Sequence, residues 1–327
     1  MLKQLQYECT TDYVKHRKNI FELHRRNYGR VPEKRYDSQY IGNPYGEPFI
    51  GLCYDGENLI GQENYIFEQA VFQGQVLKCA MGVDTIVDPK YRLFYGVFKK
   101  LIEITMDQLR GKADFLYAFA NEESKKYYLK YFNWEIAERV GVYKKVISPS
   151  GLNRESLLAF VRPGKSYKDF ALIRTERFGS EQLDEIIQNH QKESHYAYFH
   201  KTTEYLQWRF IENTFYKFER YIMQDKDAIR GYIVTFKDKG ELKVVDFLIA
   251  DDDPDIFLRA IMGLAHMGSK QGLKRLVMYA TPNCWYLGTL KKLVFIKRWT
   301  IDFIAAPLNE KSLPDNWVIN MGDFDVL

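Results

Sequence analysis

Val83-Asp84-Thr85-Ile86-Val87-Asp88-Pro89-Lys90-Tyr91-Arg92-Leu93-Phe94-Tyr95-Gly96-Val97-Phe98-Lys99-Lys100-Leu101 is the stretch on which the fold turns. Its opening apolar and β-branched residues read as a strand that Pro89 ends. After a short loop, residues 96–109 read as an amphipathic helix. A strand entering a helix this way leaves unpaired backbone N–H groups at the helix start, where the dipole places partial positive charge. Such a turn suits a pyrophosphate: Gly96 admits close approach of the backbone, and Arg92, Lys99 and Lys100 add charge. A plain strand-to-helix turn accounts for a lone glycine equally well. GxxxxGK[ST] and GxGxxG are both absent, which removes the Walker loop and the dinucleotide fingerprint.

Upstream of this stretch lies an expected helix over 11–26, then the turn Asn43-Pro44-Tyr45-Gly46. Strands follow over 48–55, 58–72 and 76–88, separated by turn signals at Asp55-Gly56 and Gln73-Gly74. Downstream come an apolar strand (113–120), a helix (122–132) and a strand (135–147). Ser148-Pro149-Ser150-Gly151 and Arg162-Pro163-Gly164-Lys165 mark the best boundary, with helices expected beyond it over 180–191 and 202–212. The second half then repeats the first. At a constant offset of 170 residues, Asp55 meets Asp225, Leu59 meets Ile229 and Gly61 meets Gly231. After a shorter hairpin, Val245-Asp246-Phe247-Leu248-Ile249 corresponds to Val83–Val87. The pattern predicts a duplicated α/β unit, divided as 1–150, a connector 151–200, and 201–327.

The bulk numbers narrow the function classes. A chain of 327 residues exceeds the usual single core. A net charge of +4 is too mild to indicate nucleic acid, although basic residues gather between Lys15 and Arg35. The 24 Tyr and 22 Phe supply cores and also suit a cleft for a flat polar ligand. The four cysteines form no CxxC pair and lack histidines at metal spacing, so no metal is expected and a reducing, cytoplasmic setting fits. No run of eighteen apolar residues occurs, so no membrane insertion is expected.

Val87-Asp88-Pro89-Lys90-Tyr91-Arg92 with Gly96 resembles the V-x-P-x-Y-R-G-x-G-x-G pattern of the GNAT acetyltransferase superfamily. Ala120-Asn121-Glu122-Glu123-Ser124-Lys125-Lys126-Tyr127-Tyr128 resembles that family's N-x-x-A-x-x-x-Y segment. The resemblance covers roughly residues 10–147, with a degenerate second unit. It departs from the pattern by one inserted residue before Gly96 and by Leu93 or Phe94 and Phe98 in place of the outer glycines. The Asn43–Gly46 turn and Tyr205-Leu206-Gln207-Trp208-Arg209-Phe210 resemble a tandem-GNAT subgroup of bacterial surface-polysaccharide pathways.

The resemblance implies an α/β fold of the α+β type: two tandem GNAT-like units, each a mixed twisted sheet flanked by helices. It implies acetyl-CoA as co-substrate, held by Ile86, Val87, Arg92, Tyr95, Gly96, Val97, Phe98, Lys99, Asn121 and Ser124. Direct attack of an amine on the thioester needs a base, an oxyanion donor and an acid for the thiolate. Asp84 comes first and Glu63 second as base, with backbone N–H groups near Ile86 and Val87 as donors and Tyr128 as acid. Structural tasks for Asp84 and Tyr128 stay open beside these, since Asp246 repeats Asp84 in a unit lacking the Pro-x-Tyr-Arg loop. Tyr45, Tyr205, Trp208 and Arg209 are expected at the acceptor, or else as core anchors. The expected acceptor is a primary amine, on an amino sugar that is free or nucleotide-linked, and the expected state is a monomer. An aminoacyl-tRNA-dependent transferase and a non-catalytic CoA-binding protein are the alternatives.

Overall fold

The computed structural model describes residues 5–92, 95–148, 169–310 and 312–324. The first stretches carry β1 (Gln6–Thr10), α1 (Tyr13–Tyr28), α2 (Glu33–Tyr40), β2 (Phe49–Asp55), β3 (Asn58–Phe72) and β4 (Gln75–Val87). They continue with α3 (Tyr95–Leu109), β5 (Phe115–Ala118), α4 (Glu122–Tyr131) and β6 (Glu135–Val146). The remainder begins with β7 (Phe170–Arg174), α5 (Glu181–Glu193), β8 (Ala197–Phe199) and α6 (Thr203–Gln207), which runs into a π-helical turn, Trp208–Glu212. Then come β9 (Phe218–Asp225), β10 (Ala228–Asp238), β11 (Glu241–Ile249), α7 (Pro254–Lys270), β12 (Arg275–Ala280), α8 (Leu287–Lys292), β13 (Ile296–Pro307) and β14 (Trp317–Val318). The turn signals at 149–151 and 162–165, the Leu93-Phe94 pair and the Tyr95 side chain lie outside the described residues.

Two compact units result: residues 1–70, 76–137 and 303–313 form the first, and residues 71–75, 138–302 and 314–327 the second. In the first unit, β1 pairs antiparallel with β2 and β2 with β3, while β4 and β5 run parallel. Its sheet takes Ile304–Pro307 of β13 antiparallel against β5. In the second unit, β7, β9, β10 and β11 form an antiparallel run and β11 pairs parallel with β12. There, β6 lies antiparallel against β12. Both units therefore join an antiparallel meander to one parallel pair, which is the duplication read from the sequence. Residues 170–199 hold β7, α5 and β8 of the second unit, where the sequence suggested a connector. The alternation in Phe170-Ala171-Leu172 turns Phe170 and Leu172 onto that unit's core.

Small residues set how α3 meets the sheet. A Cβ on Gly51 would sit 2.3 Å from Thr105 Cγ2, and one on Gly61 2.9 Å from Leu101 Cδ1. Only glycine allows α3 to lie this close to β2 and β3. Its apolar face, with Val97, Leu101 and Ile102 buried, then fixes where its first turn points. At the other end of the groove described below, Asn121 caps α4 by accepting from the N–H groups of Glu123 (3.0 Å) and Ser124 (2.9 Å).

Candidate acyl-donor groove

β4 and β5 keep parallel register only from Cys79↔Phe115 to Met81↔Tyr117. β5 ends at Ala118, whereas β4 continues to Val87. Midway along that extension, Asp84 adopts φ +51, a left-handed position inside a strand. A residue held there is a strain that the surroundings must impose, and such strain gathers at functional sites. Beside it lies a cavity of about 390 Å³, within the range of small-ligand sites. Thr85, Ile86 and Val87 of β4 line it together with Arg92, Phe98, Asn121 and Ser124.

Six of the ten residues expected to hold the donor thus line one cavity. The others stand as follows. Val97 is buried with Cys53, Ile60 and Leu101, so its side chain turns into the core rather than the cavity. Lys99 is exposed and pairs with Glu103 at 3.6 Å. Gly96 is exposed, with nothing within 4 Å of where a Cβ would stand. Arg92 is braced over the loop, donating from Nε to Val87 O (3.1 Å) and from Nη2 to Asn27 Oδ1 (2.7 Å). The cavity also includes Tyr28, Thr85, Glu123 and Tyr127, which the sequence reading missed. Thr85 carried a signal, since it lies between two residues already singled out.

Two polar clusters flank β4. Toward α4, Tyr128 Oη donates to Glu63 Oε1 at 2.9 Å and meets Thr85 Oγ1 at 3.3 Å. Glu63 is fully buried, and burial raises its carboxyl to about 7 against the hydrogen bonds that favour the anion. Burial also pushes the Tyr128 phenol well above its ordinary value, helped by the Glu63 charge. Toward α2, Asp84 Oδ2 accepts from Tyr40 Oη at 2.7 Å, and Oδ1 faces Arg35 Nη2 at 3.3 Å. Gln62 Nε2 donates to Asp84 O (3.0 Å) and Asn64 Nδ2 to Tyr40 Oη (3.0 Å). His24 contacts Tyr36 Oη, and burial lowers it to about 4, which keeps it neutral. Asp84 and Glu63 therefore occupy unlike surroundings on either side of one strand.

The expected acceptor residues do not gather in this cavity. Tyr45 is half-buried in the Asn43–Gly46 turn, its N–H donating to Asn43 Oδ1 at 3.0 Å. Tyr205, Trp208 and Arg209 belong to the second unit and are buried there. Arg209 Nη2 donates to Gly322 O (3.1 Å) and Phe324 O (2.5 Å), so the guanidinium fastens the segment after β14. Asp246, the counterpart of Asp84, is fully buried 3.0 Å from Lys201 Nζ, and Lys201 also reaches Asp323 at 2.6 Å. Among the described residues no group of His, Cys, Asp and Glu is arranged to hold a metal ion. None of their helices is long and apolar enough to cross a membrane.

Residues 14–137 match the family model of the Acetyltransferase (GNAT) domain. Among solved structures, a probable N-acyltransferase from Enterococcus faecalis V583 superposes with a TM-score of 0.72 at 14% identity, over 94% of this chain and 73% of that one. A tandem GNAT protein from the clavulanic acid biosynthesis pathway gives 0.60 at 10% identity, over 94% and 100%. Saccharomyces cerevisiae N-myristoyltransferase with bound myristoyl-CoA gives 0.61 at 11% identity, over 98% and 86%. No curated protein matches by sequence. Residues 14–137 therefore carry a GNAT acetyltransferase domain, which makes the protein an acyltransferase by class, and its fold is similar to that of tandem GNAT proteins.

Proposed function

We propose that this protein transfers an acetyl group from acetyl-CoA to a primary amine, with the first unit as the catalytic one. The observation that carries the reading is the cavity beside the part of β4 that extends past the end of β5, lined by Ile86, Val87, Arg92, Asn121 and Ser124. These residues fit an acyl-CoA: the first turn of α3 and Arg92 offer donors to phosphates, and the edge of β4 beyond the end of β5 offers N–H groups to an amide-bearing arm. Acetyl-CoA would supply an activated thioester there. Ile86 and Val87 stabilise the oxyanion from their backbone N–H groups. Asp84, turned toward α2 and held by Arg35 and Tyr40, takes the proton of the incoming ammonium; Tyr128 serves the acid side.

The second unit supports assigning the donor to the first unit alone. There, Asn320 Nδ2 donates to Asp246 Oδ1 (2.9 Å) and Phe247 O (3.4 Å), and Thr281 Oγ1 donates to Trp317 O. Residues 317–320 thus lie beside β11 and the end of β12, the counterparts of β4 and β5. The counterpart of the phosphate loop is Asp251-Asp252-Asp253, whose charge repels phosphates. We take the acceptor to be an amino sugar, free or nucleotide-linked, serving surface polysaccharide synthesis; the subgroup resemblance of the Asn43–Gly46 turn supports this. The free cysteines among the described residues support a cytoplasmic protein, which we take to act as a monomer.

Thermal unfolding with and without acetyl-CoA tests the donor. A ligand at a hundred times its Kd adds roughly 2.7 kcal/mol of stability. Gly96→Asp has room for its side chain, and an acidic residue in the first turn of α3 favours the helix while repelling phosphate. The wild type is expected to shift and a folded Gly96→Asp variant not to. Equal shifts in both would move the donor elsewhere, and none in either would remove acyl-CoA from the reading.

A further inference from the structure

Glu63 has no exposed surface, yet it carries a carboxyl group. Its Oε1 lies 2.9 Å from Tyr128 Oη, while Oε2 has no hydrogen-bond partner. Tyr128 is itself buried and does not line the cavity, but its hydroxyl meets Thr85 Oγ1 at 3.3 Å, and Thr85 does line it. Glu63, Tyr128 and Thr85 therefore form one cluster from a sealed interior to the cavity wall, in which both hydroxyls face the carboxyl group. Each hydroxyl can donate in only one direction at a time. The groups that face Glu63 are Tyr65 on its own strand, Thr85 of β4 and Tyr128 of α4; none is a fixed charge.

Building on the acyltransferase reading, we propose that Glu63 is a positioning residue whose protonation state sets the direction of the Tyr128 and Thr85 hydroxyls, and with it the ability of the groove to protonate a leaving thiolate. With Glu63 protonated, its O–H donates to Tyr128 Oη, Tyr128 donates to Thr85 Oγ1, and the Thr85 hydrogen points into the cavity. With Glu63 ionised, Tyr128 donates inward to the carboxylate, Thr85 turns to Tyr128, and the cavity faces a lone pair. In the transfer step the amine nitrogen bonds to the acyl carbon and the C–S bond breaks, its electron pair staying on sulfur. Sulfur takes the Thr85 proton and Thr85 that of Tyr128, whose oxygen is held meanwhile by the hydrogen bond that Glu63 donates. Solvent later returns one proton to Tyr128 through Thr85 and the groove, balancing the one released by the ammonium. Because burial holds the carboxyl near neutrality, the reversal falls within the working pH range.

The test combines a spectroscopic and a kinetic readout on the full chain. Infrared difference spectra of the wild type between about pH 6 and about pH 8.5 should show loss of a protonated carboxyl C=O band. Glu63→Gln should lack that band, and Tyr128→Phe should move it to higher frequency as the acid loses its acceptor. Kinetically, Glu63→Gln presents an amide N–H that locks the outward direction. Release of CoA thiol from acetyl-CoA with glucosamine should fall about tenfold per pH unit on the alkaline side for the wild type, and stay level for Glu63→Gln. The proposal is overturned if no carboxyl band titrates, if Glu63→Gln keeps the wild-type alkaline limb, or if a folded, acetyl-CoA-binding Glu63→Gln is inactive at every pH. A wild type that neither binds acetyl-CoA nor releases thiol would end the acyltransferase reading, while the band still reports on Glu63.

Discussion

Tyr40 Oη stands 2.7 Å from Asp84 Oδ2, so the carboxylate at the left-handed position of β4 is gripped from α2. Arg35 contacts the other oxygen from the same helix. The pair ties the distortion of β4 to the helix that covers it. The N–H groups of Thr85, Ile86 and Val87 follow directly after that distortion, so Asp84 affects the groove through the backbone as well as through its charge.

Asp84→Asn separates these two contributions. Asparagine tolerates a left-handed φ, so the strand keeps its course and the protein folds. The carboxylate is lost, and kcat should fall by roughly a hundredfold or more at saturating acceptor. Near-normal turnover would remove Asp84 as the base. Asp84→Ala should also lower Tm, since alanine pays about 1 kcal/mol in this conformation and removes the carboxylate that Arg35 and Tyr40 contact.

Tyr128→Phe removes one hydroxyl of the Glu63–Tyr128–Thr85 cluster. We expect kcat to drop on the order of a hundredfold or more with acetyl-CoA affinity nearly unchanged, because Tyr128 does not line the cavity. Isothermal titration and steady-state kinetics together check this. A matching loss of affinity would instead make Tyr128 a packing residue beside Trp134 and Phe132.

Glu63 also leaves a mark on stability. Its folded value near 7 lies above the ordinary 4.5, so the folded state binds the proton more tightly than the unfolded chain does. Stability should therefore fall as pH rises from about 4.5 to about 7 and level off above it, by on the order of 3 kcal/mol from this group. Glu63→Gln should remove that decline, so its Tm advantage over the wild type grows with pH across the window. Parallel Tm profiles would contradict this.

Lys201→Met leaves Asp246 and Asp323 facing each other inside the second unit without their cation. Breaking a buried pair this way costs about 3–5 kcal/mol. Denaturant unfolding should show the loss. A change under 1 kcal/mol would mean that the triad relaxes or takes up protons at little cost.

Much of the groove was legible because its parts are local in sequence. The Val87–Arg92 stretch, the segment that begins at Asn121 and the Asp84 position each lie within a few residues of their effect, and the constant offset exposed the duplication. The Val97 side chain turns into the core with Leu101, four residues on along one helical face, and so does not line the groove. The helix α2 went unread because its apolar face is only Tyr36 and Tyr40, four residues apart. Arg209 left no local trace: its partners are carbonyls more than a hundred residues away. Glu63 was named as a carboxylate, but its link to Tyr128 spans 65 residues and rests on how α4 lies over β3.

The borrowing of Ile304–Pro307 by β5 has a consequence for how the protein is made. β5 is apolar throughout and all four of its residues are buried. A ribosome releases this strand long before residues 304–307 exist, so the nascent first unit must wait with one edge bare. A bare apolar edge invites pairing with other chains. Cutting a gene for the first unit at residue 150 would make that waiting state permanent, and such a fragment should be recovered in aggregates unless residues 303–313 are supplied with it.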